Sequence, residues 1–344
     1  MSPHPDKLQH LGFHWFAIVM SVAGLALAWL RAVPVLGDTA GAVALVLAGL
    51  AALAFVALAV LSWIRWQVQG AAVAAELAHP ARHAFLGAVP VSLLLLATAG
   101  VSLLGSTTWL ALLWWLGSLL QLAVTVWVLG RWLRADAAQG LGWPAVTPVL
   151  FIPVVGNVLA PLAGVPLGAG GWAAAQFGMG ALMWPVVLTL LLVRIATQGL
   201  WPERLLPATF IAITPPALLG LGALQLGGSP LLAWMAWGVA LLMLLWCAPL
   251  MRRILAQPFA VGFWSLGFPL AAFAALSLRL AFMNPAVQMV AVVALALASL
   301  VVLWLALASW KNWRQGTLLA PEPSPVASFS ARASDRSDRS NTID

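Results

Sequence analysis

The stretch TAGAVALVLAGLAALAFVALAVLSWI, from Thr39 to Ile64, contains no charged residue. A bilayer core about 30 Å thick needs about 20 predominantly apolar residues in one helix, so this stretch is long enough to cross a membrane. Comparable apolar stretches recur from Leu11 to Trp310. Because a helix satisfies its backbone hydrogen bonds internally, the pattern predicts an all-α integral membrane protein in contact with lipid.

The composition supports this fold class. Hydrophobic residues make up 63% of the 344 residues and charged residues 7%, whereas a soluble domain has about 45–50% and about 25%. Charged or turn-rich breaks divide the chain into ten predicted transmembrane helices, near residues 11–30, 39–64, 85–104, 108–130, 148–163, 171–193, 206–226, 231–250, 259–280 and 286–310.

The fifth predicted span is interrupted by Pro148, Pro153, Gly156, Pro161 and Gly164. A broken helix is tolerated inside a membrane only where neighbouring helices or a wet cavity satisfy the freed backbone groups. We count this segment as crossing, which gives ten spans.

The loop charges test this number. With ten spans both termini lie on one side, and the opposite loops hold only two basic residues, Arg31 and Arg279. Since cytoplasmic loops are enriched in Lys and Arg, both termini are predicted to be cytoplasmic, with five helical hairpins directed outward from an inner (plasma) membrane. The basic residues on the cytoplasmic side are Lys7, Arg65, Arg82, Arg131, Arg134, Arg194, Arg204, Arg252, Arg253, Lys311 and Arg314.

Three segments follow from this organisation. Residues 1–10 are predicted to be a cytoplasmic N-terminus and residues 11–314 a ten-helix transmembrane domain. Residues 315–344 are rich in Pro, Ala, Ser and alternating charges, which predicts a disordered cytoplasmic tail.

Prolines are concentrated in the odd-numbered spans. An interior proline removes a backbone hydrogen bond and bends a helix. All odd spans run from the cytoplasm outward, so five bent helices are predicted to form an inner ring within five straighter ones; kinks that only aid packing are the alternative. The odd spans carry Pro90, Pro153, Pro161, Pro215, Pro216 and Pro269, and the even spans Pro185 and a terminal Pro249.

The spans lack the groups that catalysis needs. No span has an acidic residue at its centre, which argues against carboxylate acid–base chemistry and against a proton relay of the usual pump type. The pairs His10 and His14, and His79 and His83 near Glu76, have metal-ligand spacing but are interpreted as structural or solvated. No enzymatic activity, cofactor, metal or nucleic-acid partner is predicted, and the net charge of +7 is attributed to membrane orientation.

Four segments resemble the family that joins the bacterial tellurite-resistance protein TehA, the plant guard-cell slow anion channels and the fungal malate and sulfite transporters. They are FHWFAIVMSVAGLALAW (Phe13 to Trp29), PVLFIPVVGNVLAPLAG (Pro148 to Gly164), LPATFIAITPPA (Leu206 to Ala217) and PFAVGFWSLGFPLAAFAALSLRLA (Pro258 to Ala281). The resemblance implies ten helices as five hairpins around a central quasi-fivefold pore, assembled as a homotrimer with one pore per subunit.

The most specific pattern is W-S-x-x-F-P, at Trp264, Ser265, Phe268 and Pro269. Family members occlude the pore with a phenylalanine of the ninth helix, and the resemblance assigns that gate to Phe268. The other candidates for pore lining or helix kinks are Pro90, Phe151, Pro153, Asn157, Pro215, Pro216 and Pro269.

The sequence departs from the family pattern near this gate. Leu266 and Gly267 stand where an aromatic residue and a Ser or Thr are frequent, and Ser21 follows Met20 where glycine is common. These departures imply a more loosely supported gate and an altered lumen in the first span.

The sequence therefore predicts an anion channel that passes small monovalent anions such as chloride or nitrate. The second hypothesis is a secondary transporter for C4-dicarboxylates, sulfite or tellurite, because one fold serves several functions. An intramembrane enzyme or a scaffold is a third class, against which the missing catalytic groups argue. The absence of charged residues deep in the odd spans favours the channel.

Overall fold

The computed structural model describes residues 8–133 and 141–318. The N-terminus up to Lys7, the loop at 134–140 with Arg134, and the predicted tail from residue 319 onward lie outside these ranges.

The described chain contains ten apolar helices, one at each predicted span. Nine of them are long and apolar enough to cross a membrane, and the remaining one, α5, is shorter. In chain order they are α1 (Phe13–Leu36), α2 (Asp38–Val68), α3 (Arg82–Leu104), α4 (Thr108–Trp132), α5 (Pro148–Gly164), α6 (Gly170–Gln198), α7 (Glu203–Gln225), α8 (Pro230–Leu255), α9 (Val261–Ala281) and α10 (Gln288–Arg314).

The largest difference from the predicted boundaries is at the end of α1, which was expected near residue 30. The helix continues through Arg31, and Pro34 is accommodated near its end. It stops at Gly37, whose φ of +74° belongs to the left-handed region that favours glycine.

Burial alternates along the chain. In α9 94% of the apolar window is buried, and α1, α3 and α7 are also mostly buried, whereas in α2 and α8 the fraction is 17%. All of α5 from Pro148 to Gly164 is buried. The even helices expose large apolar side chains such as Leu53 and Leu112, which suits contact with lipid. The odd helices are thus the inner set, as the proline pattern predicted.

The inner helices also differ in backbone geometry. Each contains a 3₁₀ segment before an α-helical one, whereas four of the five even helices (α2, α4, α6 and α8) begin directly as α-helix and α10 follows the short 3₁₀ turn Pro285–Val287. A 3₁₀ turn has poorer hydrogen-bond geometry, and runs longer than three or four residues are uncommon. The 3₁₀ segments are Phe13–Phe16 in α1, Arg82–Gly87 in α3, Pro148–Leu150 and Gly156–Leu159 in α5, Glu203–Ile213 in α7 and Val261–Leu266 in α9.

A buried ion pair fixes the start of α1. A short helix, Gly70–Ala78, connects α2 to α3 and carries Glu76. One carboxylate oxygen of Glu76 accepts a hydrogen bond of 2.8 Å from the Phe13 N–H, and the other lies 2.6 Å from a guanidinium nitrogen of Arg65. Both side chains are at least 94% buried. Glu76 therefore satisfies a backbone donor that the first turn of α1 leaves open.

Candidate functional site

Two small cavities lie among the five inner helices, and every inner helix contributes to both. The first is lined by residues that include Met20 of α1, Val91 of α3, Phe151 of α5, Ile211 of α7 and Phe268 of α9. The second is lined by residues that include Gly24, Leu95, Leu162, Leu221 and again Phe268, one from each of the same helices.

Phe268 is shared by the two cavities. Its side chain is 6% exposed and borders both of them. The ring packs on Gly24 of α1, where an added Cβ would lie 2.5 Å from Cδ2 of Phe268. Glycine at this position therefore makes room for the ring between the cavities.

The cavities are narrow and largely apolar. The volume open to the centres of water molecules is about 30 Å³ in the first and about 20 Å³ in the second, which is room for about one or two waters each. Among the described lining residues of the first cavity, only Thr214 has a polar side chain, and its hydroxyl has no hydrogen-bond partner within the described ranges. The second cavity contains Thr98 and Arg31. Neither cavity has room for more than a few water molecules.

The 3₁₀ segment of α9 is held from both sides. The Ser21 hydroxyl of α1 donates a 2.8 Å hydrogen bond to the Trp264 carbonyl, and the Trp264 indole donates a 2.9 Å bond to the Ser309 hydroxyl of α10. A Cβ added at Gly267 would lie 2.7 Å from both Cβ and Oγ of Ser21. Two departures from the family pattern, Ser21 and Gly267, are therefore complementary in space.

This contact predicts that a smaller residue at position 21 compensates for a larger residue at position 267. We expect Gly267→Ala to lower the apparent melting temperature of the purified protein, because overpacking costs about 1–3 kcal/mol. Adding Ser21→Gly should recover part of the loss, although it also removes the hydrogen bond to the Trp264 carbonyl. Adding Ser21→Ala should not, because its Cβ remains in contact. Equal melting temperatures for the two double variants would contradict the predicted contact.

A buried hydrogen-bond network holds the broken helix α5 to its outer neighbours. The Gln121 amide of α4 donates to the carbonyls of Ile152 and Pro153, at 3.2 and 2.9 Å. The Asn157 amide of α5 donates to the Thr125 hydroxyl at 2.8 Å. Neighbours thus satisfy carbonyls of the interrupted helix, as a helix break in a membrane requires.

The network continues into α6. The Gln176 amide donates to the Asn157 side-chain oxygen at 3.1 Å and to the Ser118 carbonyl at 2.8 Å. The Ser118 hydroxyl returns a 2.8 Å bond to Gln176 and accepts one from the Trp172 indole. The network therefore fixes α5 on the side that faces away from Phe268.

The structure separates the candidate residues into two groups. Phe151, Pro215 and Phe268 line the cavities. The other five are buried beside them without being among the lining residues. Asn157 lies in the network with α4 and α6, and Pro153 provides a carbonyl to it. The five are Pro90, Pro153, Asn157, Pro216 and Pro269.

Sequence reasoning missed Gly24, Thr214 and Arg31 as lining residues. The signal for Arg31 was its spacing, because Met20, Gly24, Leu27 and Arg31 follow one another at intervals of four, three and four residues. Such positions share one face of a helix. Because α1 was predicted to end at residue 30, Arg31 was not assigned to this helix face.

The histidines and Glu76 do not converge on a metal site. Among the described residues, no group of three or more His, Cys, Asp or Glu residues is arranged to hold a metal ion. The His79 ring accepts hydrogen bonds from the backbone N–H groups of Ala81 and Arg82, and His83 packs edge-on against Trp127. These side chains stabilise the connection between Gly70–Ala78 and α3.

Comparisons with known proteins agree with this architecture. The SLAC1 family model, described as voltage-dependent anion channel, matches residues 10–310. An uncharacterized transporter of Methanocaldococcus jannaschii is 26% identical over 301 residues, which cover 79% of this chain and 84% of that protein. The match spans all ten helices and confirms the resemblance drawn from the four segments. The chain belongs to the voltage-dependent anion channel family.

Proposed function

We propose that the protein is an anion channel of the inner (plasma) membrane, with a pore formed by α1, α3, α5, α7 and α9 and gated by Phe268. The observation that carries this proposal is the position of Phe268 between two cavities that all five inner helices line. Leu218 of α7 also borders both cavities, so the proposed gate opens when the Phe268 ring swings away from Gly24 and past Leu218. An apolar constriction of this kind also blocks ions by excluding water.

The proposed permeant ions are small monovalent anions such as chloride and nitrate. An almost apolar wall gives little compensation for lost hydration, so it favours anions that dehydrate easily. The Thr214 hydroxyl, which lines the first cavity and has no hydrogen-bond partner within the described ranges, offers a donor along the way.

The proposed architecture includes all ten helices, with α5 as a crossing helix. The ten helices form five hairpins around a quasi-fivefold pore, and both termini are cytoplasmic. Residues 1–10 and 315–344 then flank the transmembrane domain 11–314. The exposed apolar faces of the even helices provide surface for lipid and for assembly as a homotrimer.

A secondary transporter for C4-dicarboxylates, sulfite or tellurite is the second candidate. Two observations favour it: the M. jannaschii relative is named a transporter, and Arg31 lines the second cavity. Such a carrier would couple substrate movement to an ion gradient, and its transport rate would saturate as the substrate concentration rises.

Anion flux into proteoliposomes separates the two functions. We expect chloride and nitrate flux to follow the anion gradient and to be unchanged by a pH gradient, because no described span contains a buried carboxylate; the buried Glu76 lies in the helix that connects α2 to α3. Flux is measured with an anion-sensitive dye, with empty liposomes as the control. Saturable uptake of one dicarboxylate that depends on the pH gradient would replace the channel with the carrier.

A further inference from the structure

Two rows of residues on α1 and α9, called stripes here, face the proposed pore. The last residue of each stripe is an arginine, Arg31 on α1 and Arg279 on α9. On α1 the stripe runs Met20, Gly24, Leu27, Arg31, and all four residues line the cavities. On α9, Phe268, Ala272 and Ala275 line the second cavity, and Arg279 is four residues further on, which continues the same spacing. Residues eleven positions apart lie about 20° from one another around a helix, so Arg31 shares a helix face with Met20, and Arg279 shares one with Phe268.

The two arginines lie on helices that pack directly against each other, and neither has an anionic partner among the described residues. The positive charge of Arg279 is near enough to act on that of Arg31. Within the described ranges neither makes a salt bridge or a side-chain hydrogen bond. The acidic residue nearest in sequence is the exposed Asp38, at the start of α2, and it pairs with neither. Like charges placed side by side repel, so an anion between them would relieve that repulsion.

We propose that Arg31 and Arg279 form a binding site for a small oxyanion, such as nitrate, bicarbonate, sulfite or a carboxylate, at the end of the passage beyond Phe268. The guanidinium group presents its N–H donors in a planar fork that matches two oxygens of one anion, whereas a halide offers one contact point. The site rests on the proposed function, since it lies in the proposed pore and would concentrate anions at the outer face of the gate.

A lipid phosphate presents the same oxygens to arginine and is the alternative source of the ligand. Arg31 argues for the free anion, because it lines a cavity whose wall includes Phe268 and therefore lies inside the helix ring. Arg279 also stands in the last turn of α9, where a cation interacts favourably with the helix dipole. That interaction requires no ligand, so the test must measure binding.

The binding test uses the purified full chain in a detergent without phosphate. Sodium nitrate and sodium chloride are titrated separately against wild type, Arg31→Gln/Arg279→Gln and Arg252→Gln, whose arginine is exposed at the end of α8. A ligand that binds the native state raises the apparent melting temperature. We expect a saturable rise for wild type and Arg252→Gln, larger with nitrate than with chloride, and no saturable rise for the double variant.

Other outcomes overturn the site. If nitrate raises the melting temperature of all three proteins equally, the arginines bind no anion. If nitrate and chloride raise the wild-type melting temperature equally, the arginines attract anions by charge and form no oxyanion site. Loss of the nitrate response after adding phosphatidylglycerol, with none regained at higher nitrate, assigns the arginines to lipid. If the Gln pair does not fold, Arg31→Lys/Arg279→Lys keeps both charges and is expected to lose the preference for nitrate over chloride.

Nitrate flux into proteoliposomes tests the arginine site and the proposed channel function separately. At about 10 mM salt, where the screening length is about 30 Å, we expect the Gln pair to reduce nitrate flux severalfold, and at about 1 M salt, where it is about 3 Å, to leave it unchanged. Nitrate binding without flux in wild type would reject the channel and keep the site. Flux with equal salt dependence in both proteins would keep the channel and reject the site.

Discussion

Phe268→Ala is expected to raise chloride and nitrate conductance by on the order of tenfold or more, equivalent to at least about 1.4 kcal/mol of barrier. The reason is geometric, because this ring borders both cavities and packs on Gly24 of α1. Removing the ring takes away most of the side-chain volume between the two cavities and leaves Leu218 as the other residue that borders both. Conductance is measured in planar bilayers with protein reconstituted at a known density.

The matched control is Phe282→Ala. Phe282 follows α9 and is 67% exposed, so the same change there should leave conductance at the wild-type level. The melting temperatures of both variants establish that the helix ring is intact. An intact Phe268→Ala protein with unchanged conductance would remove Phe268 from the gate.

Arg65→Met is expected to give the largest loss of stability, because breaking a buried ion pair from one side costs about 3–5 kcal/mol. The change leaves the Glu76 carboxylate buried, with the Phe13 N–H as its remaining hydrogen-bond partner in the described ranges. Since Glu76 holds the start of α1, the damage should extend to the inner ring. The apparent melting temperature in detergent is the readout.

The double variant Arg65→Met/Glu76→Gln is the control for charge. A glutamine at position 76 is neutral and retains an oxygen for the Phe13 N–H, so the double variant should be clearly more stable than Arg65→Met. If the two proteins melted at the same temperature, the unpaired charge would not be the cause of the loss.

The fold was largely predictable because its signals are long and repeated. Apolar stretches gave every helix, and prolines separated the inner helices from the outer ones, since bends and burial coincide. The fifth helix was less secure, because the breaks at Pro153 and Gly156 shorten the continuous apolar stretch.

The site was less predictable, for two physical reasons. The network of Gln121, Asn157 and Gln176 joins three helices, and uncharged polar residues on separate helices leave no periodic pattern in one sequence. Arg31 was interpreted as a loop charge because charge normally ends a span. In the folded chain the helix continues past it, and Arg31 lines the second cavity.

The separation of the two cavities by the Phe268 ring has a consequence for the energy of the cell. Protons move through proteins along unbroken chains of hydrogen-bonded water, and an apolar gap in such a chain stops them. Each cavity has room for about one or two waters, and the Phe268 ring borders both. Under the proposed function, a protein in this state would offer protons no continuous water path and would not dissipate a proton gradient across its membrane.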